Sequence, residues 1–238
     1  MTLFSYFILF GTALCGGLSF LLFKKNNPIY LKLTLAFSGA FLFSITVLHL
    51  IPDAYSSGAK SIGWFILGGF LLQIFIEFFS EGIEHGHIHV HTQDTGIFPY
   101  PVMLGLCIHS FFEGMPIAVQ TDSSTRNSLI SGIILHHVPV AFALMSLLVA
   151  SGVGTGRSVF FLSVFCLMTP WGAFSGEELS VYLGNSELFF KNIMGLVIGI
   201  FLHISTTILF ESGDEHRFNL YKMATILAGV GLSILTMV

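Results

Sequence analysis

Residues 128–150 read SLISGIILHHVPVAFALMSLLVA, a run with no Asp, Glu, Lys or Arg, whose only ionisable side chains are His136 and His137. A helix rises about 1.5 Å per residue, so a run of this length crosses the roughly 30 Å hydrocarbon core of a bilayer. Similar stretches recur along the chain: Thr2 to Phe23, Leu31 to Asp53, Ser61 to Ile83, Pro99 to Val119, Ser158 to Tyr182, Asn192 to Glu211 and Tyr221 to Val238. In hydrocarbon each backbone N–H and C=O needs a partner within its own segment, and only helices supply one along such isolated runs. The sequence therefore predicts an all-α, polytopic membrane bundle of eight spans.

Composition points the same way. With 54% hydrophobic residues, 26 Phe, 9% charged residues and a mean hydropathy of +0.86, the chain lies outside the soluble range. The connections, such as Lys24-Lys25-Asn26-Asn27-Pro28 and Thr121-Asp122-Ser123-Ser124, leave no room for a soluble domain. Residues 1–238 thus read as a single transmembrane domain with one His-rich connection at about residues 84–98. Lys24 and Lys25 follow the first apolar run instead of preceding it, and no A-x-A-like site stands before them, so span one is expected to stay as a helix. Cys15, Cys107 and Cys166 lie far apart inside apolar spans and read as small core hydrophobes. A net charge of −4 without a basic patch excludes nucleic acid as a partner.

Eight spans put both termini on one side. With the N-terminus outside, the cytoplasmic connections hold Lys24, Lys25, Lys32, Arg157, Arg217 and Lys222, and the outer ones hold Lys60, Arg126 and Lys191. That bias favours both termini outside, in a plasma or inner membrane. Span seven repeats residues of span two at the same spacing: Gly39, Phe41, Leu42 and Thr46 against Gly199, Phe201, Leu202 and Thr206. The two spans run in opposite directions, the pattern of an inverted repeat of spans one to three onto six to eight around spans four and five. Gly195 and Gly199 form one GxxxG, a sign of close helix packing that does not by itself specify a homodimer, which stays open.

Ionisable groups inside a bilayer are costly and face a pathway or a partner. Span four carries His109 and Glu113 at i and i+4, on one helix face near mid-membrane. Span five reaches His136 and His137 at a similar depth. Pro116 and Pro139 each free a carbonyl nearby, that of Phe112 or Leu135. Three imidazoles and one carboxylate at one depth are ligands that borderline cations such as Zn²⁺ accept; the bland alternative is a set of histidines that only bond helix to helix. His49 and Asp53, around Pro52, mark an outer entrance or an ordinary helix end. Glu77, Glu81 and Glu211 mark an acidic inner exit. His85, His87, His89 and His91 alternate in the connection after span three, a tract suited to metal capture or sensing. Glu177 and Glu178 read as solvated surface.

His49-Leu50-Ile51-Pro52-Asp53, His109-Ser110-Phe111-Phe112-Glu113-Gly114, the His136-His137-Val138-Pro139 of span five and the His-rich connection together resemble the ZIP family of divalent-metal transporters. The resemblance implies eight helices with both termini outside, an inverted repeat, and import of metal toward the cytoplasm. By position His109 and Glu113 match that family's span-four ligands, and His136 and His137 the first two polar positions of its span-five motif. Val140, Ser110 and Thr169 stand where the family commonly places His or Glu, Asn, and Glu, which puts a second metal in doubt and makes His137 the residue to compensate.

The expected function is transport of a divalent ion, Zn²⁺ first and Fe²⁺, Mn²⁺ or Cd²⁺ as alternatives, with no catalytic cofactor. A membrane metalloenzyme is the rival, but HExxH and repeated His boxes are missing from the sequence. A metal-sensing membrane protein without transport is the third reading.

Overall fold

The computed structural model describes residues 3–22, 28–56, 58, 60–80, 98–184, 187–211 and 220–237. The helices are α1 (Leu3–Leu22), α2 (Pro28–Ile45, continued through a π turn Thr46–Leu50 and Ile51–Tyr55), α3 (Ile62–Ser80), α4 (Tyr100–Val119), α5 (Ser123–Ala150), α6 (Thr155–Tyr182), α7 (Glu187–Glu211) and α8 (Leu220–Met237). Six of these are long and apolar enough to cross a membrane, and two shorter apolar helices, Ile62–Phe78 and Leu220–Thr236, complete the set. The described residues thus form an all-helical polytopic membrane bundle of eight helices. Large apolar side chains such as Trp64, Phe78, Phe160 and Phe210 stand exposed on its outside, where lipid is the solvent.

Several helices begin earlier than the apolar pattern indicates, because a first turn can be polar. α5 starts at Ser123, where the Asp122 carboxylate accepts the Thr125 N–H at 2.7 Å and caps the helix. α7 starts at Glu187, which takes Lys191 out of the connection and into the helix. The π turn in α2 has its cause in Pro52: the ring nitrogen has no N–H to donate backward, and the Ile51 N–H reaches five residues back to the Thr46 carbonyl. His49 rides on this widened turn. Of the cysteines, Cys166 is buried and Cys107 half-buried, but Cys15 is exposed on the lipid face of α1, contrary to its reading as a core residue. The helix period simply carries it outward, and sulfur is apolar enough to sit there.

The packing obeys one exchange. α1 lies on α5 as α6 lies on α4, and α3 lies on α7 as α8 lies on α2. Swapping α1 with α6, α2 with α7, α3 with α8 and α4 with α5 turns each pair into the other. Glycines give the register: Gly16 and Gly176, Gly39 and Gly199, and Gly69 and Gly229 are each 160 residues apart. Every one of them sits where another helix comes close. A Cβ at Gly16 would meet Val138 of α5 and one at Gly176 would meet Met115 of α4; Gly69 abuts the Leu196 carbonyl and Gly229 the Phe37 carbonyl. The same register aligns Ile66, Leu67, Leu72 and Ile74 of α3 with Ile226, Leu227, Leu232 and Ile234 of α8. The echo between α2 and α7 is therefore one part of a repeat that also runs through α1/α6 and α3/α8. Its threonines make the same bond, Thr46 to the Leu42 carbonyl at 2.7 Å and Thr206 to the Leu202 carbonyl at 2.6 Å.

Gly69→Val should therefore lower the thermal stability of the solubilised protein by roughly 1–3 kcal/mol or more, the cost of overpacking a fixed backbone contact. Gly68→Ala, where the new Cβ meets nothing within 4 Å, should leave it unchanged or slightly raised. Thermal unfolding in detergent distinguishes the two, and equal behaviour of both variants would contradict the packing argument.

Candidate metal centre

The i,i+4 spacing on α4 puts His109 Nε2 3.0 Å from Glu113 Oε1. From α5, His137 Nε2 comes to 2.7 Å from the other oxygen, Oε2. One carboxylate thus holds an imidazole on each oxygen, from helices that run in opposite directions. His109 and Glu113 are 0% exposed and His137 3%, so bulk solvent does not reach these contacts. Donor atoms of the three residues all lie within 4.8 Å of one another, and no other group of three or more His, Cys, Asp or Glu among the described residues does so. A tetrahedral zinc with ligands at about 2.0–2.1 Å needs them roughly 3.3 Å apart, so small side-chain rotations would close this set on one ion.

Neighbouring helices fix the set. Thr169 Oγ1 of α6 lies 3.4 Å from His137 Nδ1, the nitrogen turned away from Glu113. A group on that second nitrogen orients the ring and settles which nitrogen carries the proton. Thr169 comes this close because α4 and α6 touch backbone to backbone: the Thr169 carbonyl abuts Gly114, and the Phe111 carbonyl abuts Gly172. Only glycine leaves that space. His136 is also fully buried, its ring centroid 5.9 Å from that of His109 and 6.0 Å from that of His137, and it lies outside the donor group that His109, Glu113 and His137 form. Ser110 is buried with no hydrogen-bond partner for its hydroxyl among the described residues, and Val140 closes the wall with an apolar surface. Both α4 and α5 run through their prolines without a break.

The other sequence candidates lie apart from this centre. Asp53 Oδ2 accepts from Gln120 Nε2 at 3.0 Å and lies 3.7 Å from Lys191 Nζ, which also donates to the Asp53 carbonyl at 2.7 Å. His49 Nε2 pairs with Thr125 Oγ1 at 3.1 Å. Asp53 lines a cavity of about 450 Å³ with Pro116, Val119, Gln120, Asp122, Ser180, Glu187, Phe190, Lys191 and Met194. This cavity descends to Pro116, one turn from Glu113. At its rim the Thr125 N–H holds the Asp122 carboxyl below the usual carboxylate range.

At the opposite end Glu77 Oε2 lies 3.3 Å from His203 Nδ1, beside Phe70, whose ring centroid is 5.0 Å from that of His203. Gln73, one turn from Glu77, is fully buried. Neither His203 nor Gln73 stands out in the sequence alone, although His203 falls four residues after Gly199 and so on the face turned toward α3. Glu211 ends α7, and its side chain lies outside the described residues, as do Glu81, His85, His87, His89 and His91. Glu177 departs from its reading as solvated surface: it accepts a 2.9 Å hydrogen bond from Tyr6 of α1, which a single-helix pattern could not reveal. Glu178 is exposed, as expected.

A second cavity, of about 200 Å³, lies between α1, α2 and α5, lined by Gly16, Ser19, Tyr30, Leu31, Thr34, Val138, Pro139 and Phe142. Shifted by 160 residues, Tyr30, Leu31 and Thr34 fall on Phe190, Lys191 and Met194 of the larger cavity; shifted by 23, the offset between Val138 against Gly16 and Met115 against Gly176, Pro139 and Phe142 fall on Pro116 and Val119. The two cavities are counterparts, one at each end of the bundle.

Comparison with known proteins adds to this geometry. The ZIP Zinc transporter profile matches residues 84–237. The zinc transporter ZIP1 of Danio rerio is 30% identical over 155 residues, 64% of this chain and 51% of that protein. The zinc transporter ZIP2 of Homo sapiens is 29% identical over 126 residues, 51% of this chain and 40% of that protein. An uncharacterized protein of Methanocaldococcus jannaschii is 26% identical over 204 residues, 82% of each. The chain thus spans about half the length of the zebrafish protein and less of the human one. The profile match runs over most of the chain and takes in His109, Glu113 and His137, and on that basis the chain belongs to the ZIP zinc transporter family.

Proposed function

We propose that this protein carries a divalent metal ion, zinc before others, through the bilayer toward the cytoplasm, binding it in transit at His109, Glu113 and His137. The observation that carries the reading is a fully buried carboxylate clasped by imidazoles from two antiparallel helices. A bundle that needed only to stay folded would gain nothing from a charge there that an apolar residue would not supply at lower cost. Similarity to the zinc transporters ZIP1 and ZIP2 supports zinc as the ion. Membership of a transporter family and the form of the site both argue against an enzyme.

The path begins at the cavity beside His49 and Asp53, with the termini on that outer side. The ion descends past Pro116 to Glu113. There it replaces the imidazole contacts of the carboxylate, His137 Nε2 at 2.7 Å and His109 Nε2 at 3.0 Å. His136, at the third corner of the imidazole triangle, orients its neighbours or joins the coordination. Release proceeds through the smaller inner cavity, with Glu77, Glu211 and the histidine connection at that end receiving the ion. Exchange of conformation between the two repeats would open one cavity and close the other.

In sealed proteoliposomes, wild-type protein should accumulate zinc, and His109→Ala or Glu113→Gln should lose at least about ten-fold of that flux while folding normally, since each removes a direct ligand. Wild-type flux in either variant would refute the site. Thr169→Val, which strips His137 Nδ1 of its neighbour, should weaken the apparent zinc affinity by roughly ten-fold while keeping transport at saturating metal. Deleting His85 to His91 should shift apparent affinity or regulation without stopping uptake; complete loss of flux in folded protein would move that connection into the mechanism.

A further inference from the structure

Among the described residues, Lys191 is the one Lys or Arg lining the larger cavity, whose walls also carry the carboxyl groups of Asp53, Asp122 and Glu187. Its ammonium is not loosely placed. It donates to the Asp53 carbonyl at 2.7 Å and to Ser56 Oγ at 2.9 Å, and it lies 3.7 Å from Asp53 Oδ2. These oxygens, two from one residue and one from a hydroxyl a turn later, are hard donors of the kind that a cation shedding water would meet first. The side chain of Lys191 is only 16% exposed and that of Asp53 24%, so the contact is partly removed from solvent and weakly screened. A lysine so seated presents a tethered positive charge on the acceptors at the mouth.

The smaller cavity serves as an internal control. Its walls repeat those of the larger one, yet the position matching Lys191 is Leu31. Lining such a cavity in this fold therefore needs no charge at that place. The lysine is an addition specific to the end where metal enters.

Building on the transport reading, we propose that Lys191 is an affinity-setting residue, an intramolecular cation that competes with the incoming metal for Asp53 at the mouth of the cavity. An ion can engage Asp53 only as the ammonium swings away, and the repulsion between the two raises the concentration needed to half-saturate transport. Once the ion has moved inward, the ammonium would return to the oxygens of Asp53 and Ser56 that hold it now.

The test is Lys191→Met in proteoliposomes, with zinc as the probe. The apparent KM should fall by about three- to ten-fold, as expected for removing one adjacent like charge, with Vmax changed much less. Lys191→Arg, which keeps the charge, should stay near the wild-type KM. In an Asp53→Asn background, Lys191→Met should bring no further fall, because the contested acceptor is gone. An unchanged or raised KM in Lys191→Met, or an equal fall with and without the Asp53→Asn change, overturns the proposal; a loss confined to Vmax or stability would mean that Lys191 merely ties α7 to α2. Equilibrium dialysis of zinc against the purified protein separates this idea from the transport reading. Tighter binding by Lys191→Met in a protein that moves no zinc would leave the competition standing and remove the carrier, whereas normal wild-type uptake with neither KM nor binding altered removes only the competition.

Discussion

A carboxylate in the middle of a hydrocarbon slab costs several kcal/mol unless partners meet both its oxygens, and the arrangement around Glu113 answers that cost. One partner, His109, follows directly from the i,i+4 geometry of α4. The second cannot come from the same helix face and is brought by α5 as His137. From this requirement follows the close packing nearby. α6 must lie near enough for Thr169 to reach the far side of the His137 ring, and Gly114, Gly172 and Gly176 are the places where side chains have been given up so that backbones can touch. An imidazole that meets a carboxylate is also one whose lone pair suits a borderline cation, so the contacts that spare the fold a bare charge are the ones the proposed metal would displace.

The repeat explains why this centre lies between two cavities. Helices α1 to α3 and α6 to α8 follow one template in opposite orientations, and α4 and α5 exchange places under the same operation. Matching walls then arise at both ends of the bundle, but the two cavities differ in size, about 450 against 200 Å³. On the transport reading proposed above, an exchange of conformation between two halves built alike would exchange the two cavities. A centre close to the point of exchange would face one cavity in the first arrangement and the other in the second.

Much of this is legible in the sequence because hydrocarbon permits so few backbone solutions. Length and apolarity mark the eight helices, and the depth of His109, Glu113, His136 and His137 marks the cluster before any coordinates. What the sequence hides depends on relations between helices. The echo at Gly39 and Gly199 is visible, whereas the stronger match of α3 to α8 is obscured by an abundance of Leu and Ile in both. Whether His136 or His137 meets Glu113 depends on a rotation of about 100° between neighbours on α5, which periodicity does not set. The pairings of Tyr6 with Glu177, His203 with Glu77 and Lys191 with Asp53 each join residues more than a hundred positions apart. The π turn before Pro52 escapes a sequence reading for a different reason, since a proline near a helix end predicts a break as readily as a widened turn.

The charge inventory of the centre bears on how many ions it holds at once. Glu113 is the only carboxylate among the described residues of the cluster, and its companions His109, His136, His137, Ser110 and Thr169 bring no negative charge. One divalent ion on that carboxylate would leave a single net positive charge deep in the bilayer, which the imidazole ligands could spread. Two would leave three positive charges within a few ångströms, with Val140 offering no donor and Thr169 only a hydroxyl already turned to His137. At the low effective dielectric of a dry interior, repulsion between two such ions outweighs what neutral ligands return. Val140 and Thr169 thus bear on the count together: neither brings the charge that a second ion would need beside the one proposed at Glu113.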